Sequence, residues 1–230
     1  MTYIMNATAS TNINKIAFWD RKIIEWDNER YSKHFLPMMM GSVNNRMLIA
    51  FNLLKIFSRD KIVVEAGCGT ARLMPLLLES GARKYIGIDF SACAIEAAKE
   101  RAKAQGLLSR VDLICEDVTN PKMIKADVFF SLGLFDWLTD NEICLLLKNI
   151  ETTFYLHSFS EKKMNAEQLA HRVYVYFKYG YMNKKYIPRY STRQHVSSLF
   201  SQCVSGTPEY FINRKMSFSC FAHNLPGIFN

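Results

Sequence analysis

Residues 61–72 read Lys61-Ile-Val-Val-Glu-Ala-Gly-Cys-Gly-Thr-Ala-Arg72, and the fold is decided by how this stretch is read. Ile62, Val63 and Val64 form an unbroken apolar run, the composition of a parallel strand buried on both faces, which stops at Glu65 and Gly67. Gly67 and Gly69 lack a Cβ, so the backbone can turn sharply there and approach a ligand closely. The helix expected next offers unpaired N–H groups to a carboxylate or phosphate. A strand, a tight glycine turn and a helix make a nucleotide-type site.

Three ligand classes use such a turn. A phosphate-cradling loop needs Gly-Lys-Ser/Thr after its spacer, and that tripeptide does not occur here. A dinucleotide fingerprint needs a third glycine where this chain has Arg72, whose bulk obstructs close helix–strand packing. What remains is an acid two positions before the first glycine, then Gly-Cys-Gly-Thr-Ala. This resembles the first motif of class I S-adenosylmethionine-dependent methyltransferases, with Ala71 where that family often has Gly.

Downstream residues repeat the pattern. Tyr85 to Asp89 reads as a second buried strand, and Asp89 follows the turn at about the twenty-residue separation from which a carboxylate reaches ribose hydroxyls in the related dinucleotide geometry. Ser91 caps a helix closed by Gly106. Val111, Leu113 and Cys115 alternate with polar residues in a third strand ending near Asp117-Val118, and Asp127 to Gly133 form a fourth. Thr139 and Glu142 spell a capping box, and Thr153 to Phe159 form a fifth strand with His157 near its carboxyl end. Helices follow from Asn165 to Gly180 and after Thr192, and Glu209–Ile212 pairs with a half-buried strand from Met216 to Ala222.

The resemblance covers the chain from about residue 60 onward. It implies a three-layer, doubly wound α/β fold with a mostly parallel seven-stranded sheet and a C-terminal antiparallel hairpin, and S-adenosyl-L-methionine as cofactor. It implies cofactor contacts from Glu65, Gly67, Cys68 and Gly69 in the first turn and from Asp89 and Phe90 after the second strand. Asp117, with Glu116 competing for its role, and Val118 read the adenine; Leu132 and Gly133 pass the methionine part. The family often closes an N-terminal segment over the cofactor. Tyr31 and Arg46 are the candidates for that contact, because an aromatic face suits a sulfonium and a guanidinium suits a carboxylate.

Composition sets the bounds. A chain of 230 residues with 49% hydrophobic and 22% charged residues can build one full core, and a single domain is expected, with a helical cap over 1–57 and a helical insertion over 161–205. The six cysteines are dispersed singly with no Cys-x-x-Cys pair, and read as reduced core thiols, not as metal ligands or a disulfide frame. Residues 1–10 have neither a basic head nor an apolar stretch, and no run approaches membrane-spanning length, so a cytoplasmic location is expected.

Methyl transfer from a sulfonium chiefly requires orientation, so a general base is optional. For a hydroxyl acceptor, His157 is one candidate base and Asp136, in the loop after the fourth strand, is the other. The segment from Glu161 to Arg193 carries Lys162, Lys163, Arg172, Lys178, Lys184, Lys185, Arg189 and Arg193 against Glu161 and Glu167, interleaved with tyrosines. Such a lid suits a polar or phosphorylated small molecule such as a sugar, and an O-methyl acceptor is preferred over N-methyl. A nucleic-acid methyltransferase is the alternative, disfavoured because no Asn/Asp-Pro-Pro-Tyr-like site follows the fourth strand. A non-catalytic adenosyl-binding protein is the third reading.

Overall fold

The computed structural model describes residues 15–25, 37–120, 123–177, 187–204 and 206–228, with the backbone alone for 37–43 and Glu167. Strand β1 (Ile62–Ala66) lies between β2 (Lys84–Asp89) and β4 (Ile124–Leu132), both parallel to it. Strand β3 (Val111–Cys115) extends the sheet beyond β2, and β5 (Ile150–Ser160) beyond β4. An antiparallel hairpin of β6 (Glu209–Ile212) and β7 (Ser219–His223) closes the sheet through β7, giving the order β3-β2-β1-β4-β5-β7-β6. The chain leaves β1 toward β2 on one side and reaches β4 on the other, so the crevice outside the carboxyl ends of β1 and β4 is the topological switch point where ligands of open α/β sheets bind.

Strand alternation sorts the core into two layers. Val63, Tyr85 and Phe130 turn to the layer with Leu54 of helix α2 (Pro37–Phe57), Leu77 of α3 (Met74–Glu79) and Ala98 of α4 (Ala92–Ala104). Val64 and Phe129 turn to the other, with Leu146 of α5 (Asp140–Asn149) and Phe200 of α7 (Arg193–Val204). A short helix, α1, spans residues 15–25, and α6 (Ala166–Val175) occupies the insertion. The expected caps form: Ser91 accepts from Ala94 N, Thr139 and Glu142 complete their box, and Asn165 accepts from Gln168 N.

Four expectations need correction. The apolar spacing from Val43 to Phe57 predicts a helix that begins after Gly41; it starts at Pro37 and runs through Gly41, because proline fits the first turn, where its missing N–H has no intrahelical partner to lose. The last strand begins at Ser219 and not at Met216, which lies in a 3-10 turn before Ser217 at φ 58°. Its residues are all buried, since β7 runs between β5 and β6 with a helical layer on each side. Cys144 of α5 and Cys203 of α7 are joined as a disulfide with a Cα–Cα separation of 5.3 Å, and Cys93 and Cys115 are exposed, so the thiols are not uniformly reduced core residues. The crossover from β3 to β4 is carried by residues 116–123 without a helix among those described, leaving Ile88 and Ile114 beside a cavity of about 240 Å³.

Candidate active site at the switch point

The glycine turn leaves β1 through Gly67 at φ 65° and Gly69 at φ 53°, a region that side chains rarely adopt. Ala71 follows at φ 50°, which explains the family's frequent glycine at that position. The turn is internally bonded. Gly67 N and Cys68 N both donate to Ile88 O, Gly69 N donates to Asp89 Oδ2 at 2.9 Å, and Ala71 N donates to Cys68 O. These turn amides are therefore spent on the turn itself, and α3, whose first N–H groups the sequence offered to a ligand, starts only at Met74.

Asp89 is the hinge of the site. Its second oxygen accepts from Ser91 N at 2.9 Å, so one carboxylate ties β2, the glycine turn and the start of α4 together. Burial pushes this carboxyl up, while its bonds from Ser91 and Gly69 pull it back down. Phe90 is half-buried beside it, and Glu116 N donates to Asp89 O, which brings the end of β3 to the same corner. There Asp117 accepts from both the amide and the hydroxyl of Thr119, and Val118 is buried behind it.

On the other side of β1, Gly133 stands at φ 77° and donates its N–H to Ser158 Oγ at 2.7 Å; Leu132 before it is half-buried. A Cβ on Gly133 would meet the Arg46 guanidinium at 3.1 Å, and one on Gly67 would meet Leu134 at 3.0 Å. Arg46 thus reaches from α2 to the end of β4, where its charge also acts on Asp136. Asp136 is buried and accepts from Ser160 N at 2.7 Å and Ser160 Oγ at 2.8 Å. Burial raises its carboxyl to about 6 against the lowering effects of Ser160 and Arg46.

Several expected site residues face elsewhere. Glu65 turns beneath the glycine turn, where Tyr85 donates its hydroxyl to it and burial pushes its carboxyl up to about 8. Cys68 packs its thiol on the same side, Sγ lying 2.9 Å from where a Cβ on Gly87 would sit, so it offers the crevice backbone only. His157, the other candidate base, lies among apolar rings. It is fully buried in the α5–α7 layer, stacked on Phe135 at 4.9 Å and edge-on to Phe129, and burial alone drives it down to about 3. Its Nδ1 pairs with Ser131 Oγ at 2.9 Å, inside the α5–α7 layer. Tyr31 lies outside the described residues.

Sequence reasoning missed the groups that cover the site. Helix α1 lies over the glycine turn, with Ile23 Cδ1 3.0 Å from where a Cβ on Gly69 would stand. Asp20 accepts from Ser91 Oγ at 2.6 Å, Lys15 pairs with Glu142 at 2.9 Å, and Trp19 meets Trp137 edge-on at 4.8 Å. On the acceptor side, Arg189 N donates to Asp136 O while its guanidinium engages Asp140, and Tyr190 pairs with His171 Nδ1 at 2.7 Å. Ser158 and Ser160, alternating around Phe159 at the carboxyl end of β5, are the one part of this shell that strand periodicity could have disclosed.

The residues present fit a zwitterionic adenosyl donor: a guanidinium at one end, a carboxylate at the other, and a glycine turn between them whose Cβ positions are already filled by neighbours. Comparison with known proteins agrees. A methyltransferase domain family matches residues 63–153. The ribosomal protein L11 methyltransferase of Escherichia coli O8 (strain IAI1) is 39% identical over 69 residues, 30% of this chain and 23% of that protein. Its counterpart in Haemophilus influenzae (strain PittEE) is 37% identical over 70 residues, with the same shares. The chain thus matches less than a quarter of the length of these curated relatives. Among solved structures, the magnesium protoporphyrin IX methyltransferase of Synechocystis PCC 6803 with bound SAH superposes with a TM-score of 0.68 at 13% identity, covering 90% of this chain and 96% of that one. The mitomycin 7-O-methyltransferase superposes at 0.61 with 13% identity over 81% and 54%. At such identities the superpositions speak for the fold alone, whereas the sequence match covers the glycine turn and Asp89 directly. Residues 63–153 match a methyltransferase domain, and the motif order and sheet topology around them resemble those of class I S-adenosylmethionine-dependent methyltransferases.

Proposed function

We propose that the chain binds S-adenosylmethionine at the carboxyl edge of β1, β2 and β4 and transfers its methyl group to a small polar acceptor, a hydroxyl in preference to an amine. Bound S-adenosylmethionine supplies a methyl carbon already activated by the sulfonium. The chain's part is to orient, to exclude water and to receive a proton. Arg46 holds the donor's carboxylate, Asp89 its ribose hydroxyls, and the Val118 backbone its adenine. Asp117, whose Oδ1 accepts from Thr119, and Glu116 are the two acids at that corner.

The observation that carries the acceptor reading is Asp136. A carboxyl raised to about 6 and fixed by two bonds from Ser160 is ionised near neutral pH yet basic enough to accept a proton from a hydroxyl as its oxygen attacks. Arg189 and Tyr190 bring the insertion against the loop that carries it. Titration calorimetry with S-adenosylmethionine, then turnover against a panel of hydroxylated metabolites, tests the reading. No heat with the donor removes the cofactor assignment, and full turnover by Asp136→Asn removes the base.

A further inference from the structure

Helix α6 is built inside out. Its inward face is polar: Gln168 is fully buried and donates to Glu161 O at 2.6 Å, His171 pairs with Tyr190, and Arg172 lies over the Tyr190 ring at 4.6 Å. Val175 is the apolar residue this face buries. The outward face is apolar. Leu169 is 64% exposed, Val173 51%, Tyr176 49% and Phe177 68%, a stripe at helical spacing, and Met164 just before the helix is 90% exposed. A helix with polar contacts to its own protein and an apolar stripe to water leaves the stripe for something else.

Charge selects the occupant. The stretch from Glu161 to Arg193 has eight basic residues against two acids in a chain of net charge +8, and Lys178 directly follows Phe177 in sequence. Glu161 is itself neutralised by Lys163 and Arg193, and Lys162 beside it is exposed. Pairing two copies through this face would bring like charges together. Nucleic acid finds no use for Leu169, Val173 and Met164. We infer that the outer face of α6 docks on an anionic lipid bilayer surface, with the aliphatic and aromatic stripe in the headgroup–acyl boundary and Lys162 among the headgroups. This is surface association, since among the described residues no helix is long and apolar enough to cross a membrane. It stands independently of the acceptor assigned above.

The test is co-sedimentation of the full chain with phosphatidylcholine vesicles that do or do not contain phosphatidylglycerol. Retention is expected on the anionic vesicles and weak on the neutral ones, falling as salt is raised. Val173→Ser combined with Phe177→Ser should lower partitioning by roughly tenfold or more, since losing burial of either side chain alone costs about that factor. Both residues are exposed, so thermal melting should be unchanged; Leu169→Ser is the second variant should the pair melt early. Lys162→Glu should weaken binding to anionic vesicles only. Equal retention by the serine variants, equal retention on neutral lipid, or absence of vesicle binding with a dimer in light scattering that Phe177→Ser dissolves, would each overturn the inference.

Discussion

Replacing Glu65 by Gln should make the protein more stable, by an amount that grows with pH. Glu65 is 5% exposed and sits between β1 and β2 under the glycine turn, where Tyr85 donates to it. Burial raises its carboxyl from 4.5 to about 8. A raised folded value means that the folded state holds the proton more tightly than the unfolded one. The group's contribution to stability is thus complete below 4.5 and is lost as pH climbs through about 8. At about 1.36 kcal/mol per pH unit, the loss relative to the acid limit approaches about 3 kcal/mol at pH 7 and about 5 kcal/mol above pH 8. The Gln side chain keeps an oxygen to accept the Tyr85 hydroxyl and does not ionise. Urea unfolding of both proteins at about pH 5, 7 and 9 measures the difference through the midpoint at constant slope. The variant's advantage should be small at the lowest pH and largest at the highest. Parallel stability curves would refute the reasoning, for they would mean that Glu65 ionises as freely folded as unfolded.

Asp89→Asn should weaken S-adenosylmethionine binding by tenfold or more and lower the melting temperature as well, because Asp89 also holds Gly69 N and Ser91 N; calorimetry and thermal melts read the two effects separately. His157→Gln should cost stability yet leave the pH profile of turnover in place, whereas Asp136→Asn should abolish the acidic limb near pH 6; the opposite pattern would return the base to His157. Asp20→Ala, which removes the Ser91 partner, should raise hydrogen exchange in residues 15–25 with little change in the sheet. Non-reducing peptide mapping should recover Cys144 joined to Cys203, and mapping that yields both as free thiols would restore the expectation of reduced cysteines.

Much of this was legible in the chain because local chemistry and global fold agree. The apolar run before Gly67, the Ser91 and Asn165 caps, and the Thr139–Glu142 box are short-range signals that packing had no reason to override. The failures are of another kind. Nothing in Tyr155-Leu-His157 says to which face the imidazole turns; that depends on the register with Ser131 and on Phe135 and Phe200 closing over it. Alternation from Met216 to Ala222 suggested one wet face, but β7 is an interior strand, a fact of topology. Helix α6 shows periodicity in the sequence, yet the usual inference that the apolar stripe faces inward is reversed by Gln168, His171 and Arg172. Arg46 was found by type alone, and its position beside Gly133 comes from the length of α2.

The contact of Asp20 with Ser91 has a kinetic corollary. The serine that receives α1 stands two positions after Asp89, and Ile23 of the same helix rests on Gly69, so the helix covers the Asp89 end of the crevice. On the proposed binding mode, exchange of spent donor for fresh requires α1 to lift, and a departure slower than the displacement at carbon would cap the turnover rate.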